Sequence, residues 1–313
     1  MNKVPWFVPQ PPWLGGDLQT LRNYLRPPLD DVLASWPGEI MRFAMKDDTG
    51  DELIGTLHQP AEAQGKPLVL LLHGLTGCQD SSYVRVTARE MLQAGYPVLR
   101  LNWRGAGPSM GKTRAVYHAG RSDDLHAVIG SMSGTLAGNG IVAIGYSLGA
   151  NVLLKYLGER GALSHLRGAI AVSPPIDLHA AQQRIAQRRN RRYQAYLLAR
   201  MRAERSCPDD VTTILDFDDR VVAPANGFRD ALDYYGQCSA GPRLGGIRTP
   251  TLVIHAADDP WIPSRVFRAI AWNQLKQVRL LMPWSGGHVG FHALGLTRPW
   301  HDEVALRFLA ANR

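Results

Sequence analysis

The sequence predicts an α/β fold, a mostly parallel central sheet flanked by helices and carrying a helical cap. Three observations support this. Short apolar runs alternate with amphipathic stretches of helical spacing, the pattern of strands connected through helices. Runs such as PLVLLLHG (67–74) and GIVAIGYS (140–147) are apolar without a break, as strands buried on both faces must be. The 313 residues, 45% of them hydrophobic, suffice for one large core.

A Pro-rich leader, containing FVPQPPWLGG, is followed by strands expected at 39–45 and 53–59, with Asp47, Asp48 and Gly50 supplying a hairpin turn. Strands at 67–74 and 96–102 bracket a helix at 83–93, and a helix at 123–132 leads to the strand at 140–147. A helix at 148–157, the strand LRGAIAVS, the strand PTLVIHAAD, a helix at 265–272, the strand VRLLM and a closing helix through 309 complete the reading. Between about 174 and 246 the strand-helix rhythm gives way to charged, helical sequence. That stretch is the expected cap over the sheet's carboxyl edge, where substrate selection should reside.

The chain carries 35 basic and 27 acidic residues, a net charge of +8. Residues 184–205 concentrate it: eight arginines against Glu204 alone give +7. Ile185, Tyr193, Tyr196, Leu197 and Met201 recur there near helical spacing, so the segment reads as an amphipathic helix with a solvated basic face. Peripheral contact with an anionic membrane is the alternative use of that charge, and nucleic acid is not expected as a partner. No apolar run is long enough to span a bilayer, and prolines stand where a signal peptide needs its apolar stretch. The expected location is cytoplasmic. Cys78, Cys207 and Cys238 are too few and too scattered for a disulfide framework or a metal site.

The chemistry centres on Gly145-Tyr146-Ser147-Leu148-Gly149, a G-x-S-x-G pattern. The pattern alone is weak, but here a strand precedes it and a helix follows it, which is the setting of a nucleophile elbow. The small glycines leave room for a strained turn that exposes the Ser147 hydroxyl above the sheet, with the positive end of the following helix beneath it. The bland alternative for Ser147 is a helix-capping serine.

A serine hydroxyl needs a neighbouring base, and the base an orienting carboxylate. LVIHAADDPWIP ends one apolar strand with Asp258 and Asp259, and VRLLMPWSGGHVGF ends the next with His288 behind two glycines. Both fall at the carboxyl ends of strands, where open α/β sheets place their sites. Asp259 is favoured over Asp258 because D-P-W-I-P after it resembles the segment that follows the acid in many hydrolases; Asp258 would stabilise the turn. The competing reading of His288 is a loop histidine bonded to backbone, and His255, His292 and His301 lack its Gly-Gly approach. An oxyanion would be held by the amides of Leu148 and, in the loop HGLTG, of Leu75, with His73 tying that loop down.

HGLTG, NWRGAG (102–107), GYSLGAN (145–151), DDRVVAPANGFRDALDYY (218–235), AADDP and GGHVGF together resemble the YheT-like branch of the α/β-hydrolases, a branch with abhydrolase-domain esterases and phospholipases and the yeast medium-chain ethyl ester synthases. The likeness runs from the leader to the last histidine loop. It implies Ser147, Asp259 and His288 as the triad and an acyl ester as substrate, with no metal or organic cofactor. The membrane anchor of eukaryotic relatives has no counterpart, so their bilayer location does not carry over. The expected activity is hydrolysis of short- to medium-chain carboxylic esters. Acyl transfer to an alcohol and a non-catalytic binder using the basic cap are the alternatives.

Overall fold

Eight strands form one sheet: β1 (Gly38–Ala44), β2 (Glu52–His58), β3 (Leu68–Leu72), β4 (Val98–Leu101), β5 (Ile141–Tyr146), β6 (Gly168–Val172), β7 (Thr251–Ile254) and β8 (Val278–Leu281). Their spatial order is β1-β2-β4-β3-β5-β6-β7-β8. β1 and β2 pair antiparallel, β2 meets β4 antiparallel, and every later pairing is parallel. The computed structural model describes residues 4–27, 31–61, 65–132 and 134–312; the first three leader residues lie outside these.

Every residue of β3, β4, β5, β6 and β7 is buried. All are apolar except Thr251 of β7 and Arg100 of β4, whose guanidinium donates to the Gln79 carbonyl at 2.7 Å and to Asp80 at 2.9 Å. Successive side chains point to opposite faces. Leu68, Leu70 and Leu72 therefore join one core layer, with Leu125 and Val128 of helix Ser122–Ser131 and Leu153, Leu154 and Leu157 of helix Leu148–Arg160. Val69 and Leu71 join the other, with Val84, Ala88 and Met91 of helix Ser82–Gln93 and Val304 and Phe308 of helix Trp300–Ala311. The hairpin turn between β1 and β2 carries left-handed backbone at Asp48 and Gly50.

Between β6 and β7 the chain makes helices Leu178–Ile185, Arg191–Glu204, Ile214–Phe217 and Ala231–Cys238, joined by shorter turns. The basic stretch 184–205 departs from the single amphipathic helix expected there. The first helix stops at Ile185 and a 3₁₀ turn at Arg188–Asn190 intervenes. Asn190 Nδ2 holds that turn by donating to the carbonyls of Arg184 and Pro260, both at 2.8 Å. Leu197, Leu198 and Met201 are buried, whereas Tyr196, expected on the apolar face, is 44% exposed.

The helix expected at 265–272 is also shorter. It covers Arg265–Arg268 and resumes as a 3₁₀ turn at Trp272–Gln274. The indole Nε1 of Trp272 donates to the Phe267 carbonyl at 2.7 Å, taking the acceptor that a continuing helix would have used.

Candidate active site

Ser147 follows β5 and precedes helix Leu148–Arg160 with φ at 50°, a left-handed conformation unusual for a residue with a side chain. The turn is possible because its neighbours are glycines. A Cβ on Gly145 would stand 2.7 Å from the Ala150 Cα, and one on Gly149 would collide with the His73 carbonyl oxygen. The Ser147 amide donates to the Val172 carbonyl on β6 at 2.9 Å, which locks the elbow to the neighbouring strand.

His288 Nε2 lies 2.9 Å from Ser147 Oγ, and His288 Nδ1 lies 2.9 Å from Asp259 Oδ2. The structure thus brings together the three residues that sequence placed in three separate loops. Asp259 is buried; its Oδ1 accepts from the amides of Trp261 at 2.8 Å and Ile262 at 3.0 Å. Burial alone would raise this carboxyl, but the His288 ring and the amide donors outweigh it and hold Asp259 below the ordinary carboxylate range. Asp258 faces elsewhere, accepting from the Gly287 amide at 2.9 Å. The Trp261 ring covers the imidazole, centroid to centroid 4.3 Å.

On the other side of Ser147 lies the HGLTG loop. His73 is fully buried, accepts from the Trp103 amide at 3.1 Å and bonds the Gly74 carbonyl through Nδ1 at 2.8 Å. Burial pushes it down to about 4, so it is neutral and ties the loop rather than exchanging protons. The Gly74 and Thr76 amides donate to the hydroxyls of Tyr83 and Tyr117. Between them the Leu75 amide has no acceptor among the described residues, and neither does that of Leu148 at the helix start. Two N–H groups free of protein acceptors lie in the loop beside Ser147 and in the residue after it, an arrangement that can stabilise a developing oxyanion. A cavity of about 40 Å³ opens beside both, walled by Leu75, Tyr117, Leu148, Met201, Phe217 and Val222.

Sequence reasoning missed what fixes the histidine loop. Helix Gly16–Leu25, in the stretch read only as a leader, presents Gln19, Thr20 and Asn23 to it. Thr20 Oγ1 accepts from the His288 amide at 2.8 Å, Asn23 Nδ2 donates to the Val289 carbonyl at 3.2 Å, and Gln19 bonds both the amide and the carbonyl of His292. The contact is close enough to demand glycine: a Cβ on Gly287 would collide with the Gly16 carbonyl, and one on Gly290 with that of Gln19. The available signal was three polar residues on one side of a short helical pattern. Arg200 was likewise read as part of a charged face, but it donates to the Thr76 carbonyl at 2.7 Å and to the Thr76 hydroxyl at 3.2 Å. His255, His292 and His301 are buried away from Ser147, and burial lowers all three. Cys78, Cys207 and Cys238 are free thiols, and no metal-binding cluster occurs among the described residues.

A sheet of this order with a strained serine after its fifth strand is an α/β-hydrolase. The family model described as serine aminopeptidase, S33, matches residues 63–277. The chain is 32% identical over 255 residues to the putative esterase YheT of Escherichia coli, covering 77% of this chain and 75% of that protein. It is 30% identical over 268 residues to a monoacylglycerol lipase of Saccharomyces cerevisiae and 30% over 244 residues to phospholipase ABHD3 of Mus musculus, covering 78% and 74% of this chain. It spans only 59% of the length of each of those two relatives. Among solved structures, an esterase of Pyrococcus furiosus shares the fold with a TM-score of 0.63 at 20% identity, covering 88% of this chain and 92% of that one. The chain belongs to this hydrolase family, in its YheT-like branch, and is a carboxylic ester hydrolase. No helix among the described residues is long and apolar enough to cross a membrane.

Proposed function

We propose that this chain hydrolyses esters of short- to medium-chain acyl groups through an acyl-enzyme on Ser147. The observation that carries the reading is the unbroken line Ser147 Oγ, His288, Asp259, with each hydrogen bond at 2.9 Å. His288 Nε2 takes the Ser147 proton as Oγ attacks the ester carbonyl carbon. The carbonyl oxygen becomes an anion held by the Leu75 and Leu148 amides, while Asp259 stabilises the imidazolium. Collapse breaks the bond to the alcohol, which leaves with the proton from His288. Water then gives a proton to the same nitrogen, attacks the acyl carbonyl and releases the acid, returning the proton to Ser147.

The wall of the cavity beside Leu75 and Leu148 is more apolar than polar, which favours an acyl group there. The test is a series of p-nitrophenyl acyl esters of rising chain length, with and without added ethanol. Turnover should peak at short to medium chains and yield free acid. An ethyl ester as the main product would replace water by alcohol as the acceptor.

A further inference from the structure

Helix Gly16–Leu25 buries its polar side against the His288 loop and leaves the other side bare. Leu18, Leu21 and Leu25 recur there at helical spacing, with Leu18 41% and Leu25 57% exposed, beside Tyr24 at 70%. The helix lies against cap helix Arg191–Glu204: Tyr24 and Tyr196 meet ring to ring at 6.1 Å, and the Tyr193 hydroxyl donates to Asp17 at 3.0 Å. The outward positions of the cap helix add Ala195, Tyr196 and Ala199, all exposed. An apolar patch of this kind on two adjoining helices is not the ordinary scatter of surface leucines.

Its surroundings are cationic. Arg26, Arg188, Arg191 and Arg192 are exposed and make no ion pair among the described residues. Asp17 is already paired with Arg189 at 2.9 Å, and Glu204, the acid of the basic stretch, lines the cavity beside Leu75 and Leu148 instead. We infer that these two helices form one docking face for an anionic phospholipid surface. Leu18, Leu25, Tyr24 and Tyr196 enter the headgroup-acyl boundary, and the unpaired guanidinium groups meet lipid phosphates. Duplex nucleic acid would satisfy the cations but leave the aliphatic side chains without an apolar medium. The inference is independent of the ester chemistry.

The full chain is sedimented with vesicles of phosphatidylglycerol or of phosphatidylcholine, and its binding to duplex DNA is measured in parallel. Partitioning onto phosphatidylglycerol should exceed that onto phosphatidylcholine at least tenfold and fall with added salt. The pairs L25S/Y196S and R191Q/R192Q should each lower it about tenfold while leaving the thermal melt and the hydrolysis of a soluble ester unchanged. Equal partitioning onto both vesicles, no binding to either, or variants that bind as the parent does would each overturn the assignment. So would DNA binding that is tighter than vesicle binding and indifferent to L25S/Y196S.

Discussion

Thr20 Oγ1 receives the His288 backbone amide at 2.8 Å, so a residue near the start of the chain fixes the loop that carries the imidazole. Thr20 also donates to the Gly16 carbonyl at 2.7 Å, which sets its rotamer. Thr20→Val keeps the shape and removes the acceptor. Turnover of a soluble ester should drop by about tenfold with little change in KM, as expected when a positioned group drifts by a fraction of an ångström. Thr20→Ser should restore most of it. If valine turns over as fast as threonine, the clamp has no part in positioning the imidazole.

The two adjacent aspartates separate cleanly by substitution. Asp259→Asn leaves the amide donors of Trp261 and Ile262 an acceptor but presents the wrong partner to His288 Nδ1. A loss of about 10⁴ in turnover is expected from loss of the correct imidazole tautomer. Asp258→Asn removes only a charge facing the Gly287 amide, and a several-fold effect is expected. Steady-state kinetics of both variants would expose a reversed assignment.

Gly149→Ala drives a methyl group into the His73 carbonyl and the Leu72 backbone. Both belong to β3 and the loop after it, and neither can give way as the end of a flexible side chain could. A loss of about 1–3 kcal/mol is expected from forced backbone movement. Chemical denaturation would show it, and a variant as stable as the parent would mean that the elbow is looser than described.

Asp218 is buried, accepts from the Tyr235 hydroxyl at 2.6 Å, and is pushed up to about 7 by burial. The unfolded carboxyl loses its proton near pH 4, the folded one only near 7, so between these values the native state binds more protons and stability falls as pH rises. Asp218→Asn keeps the acceptor and removes the titration. Its melting temperature relative to the parent should therefore rise between pH 5 and pH 8. A pH-independent difference would rule out this role for Asp218.

The sheet was legible because β3, β5 and β6 are short apolar runs buried on both faces, a pattern that reads as strand without tertiary information. The approach of Ser147 and His288 to one another was legible because elbow and Gly-Gly loop are local patterns at strand ends. What escaped was packing between distant segments. Gln19, Thr20 and Asn23 look like an ordinary polar helix side until the His288 loop closes on it, and Arg200, although exposed, shows its bonds to Thr76 only once helix Arg191–Glu204 lies beside the HGLTG loop. Helix 265–272 ended early for a local reason: the Phe267 carbonyl accepts from the Ile270 amide and the Trp272 indole, in a 3₁₀-type turn in place of a continuing α-helical bond.

The most direct measurement is intact-protein and peptide mass spectrometry after treatment with a fluorophosphonate or a slowly hydrolysed ester. One added phosphonyl or acyl group is expected, carried on the peptide containing Ser147 and absent from Ser147→Ala. An adduct on another residue, or a Ser147→Ala protein that labels and hydrolyses esters like the parent, would contradict it.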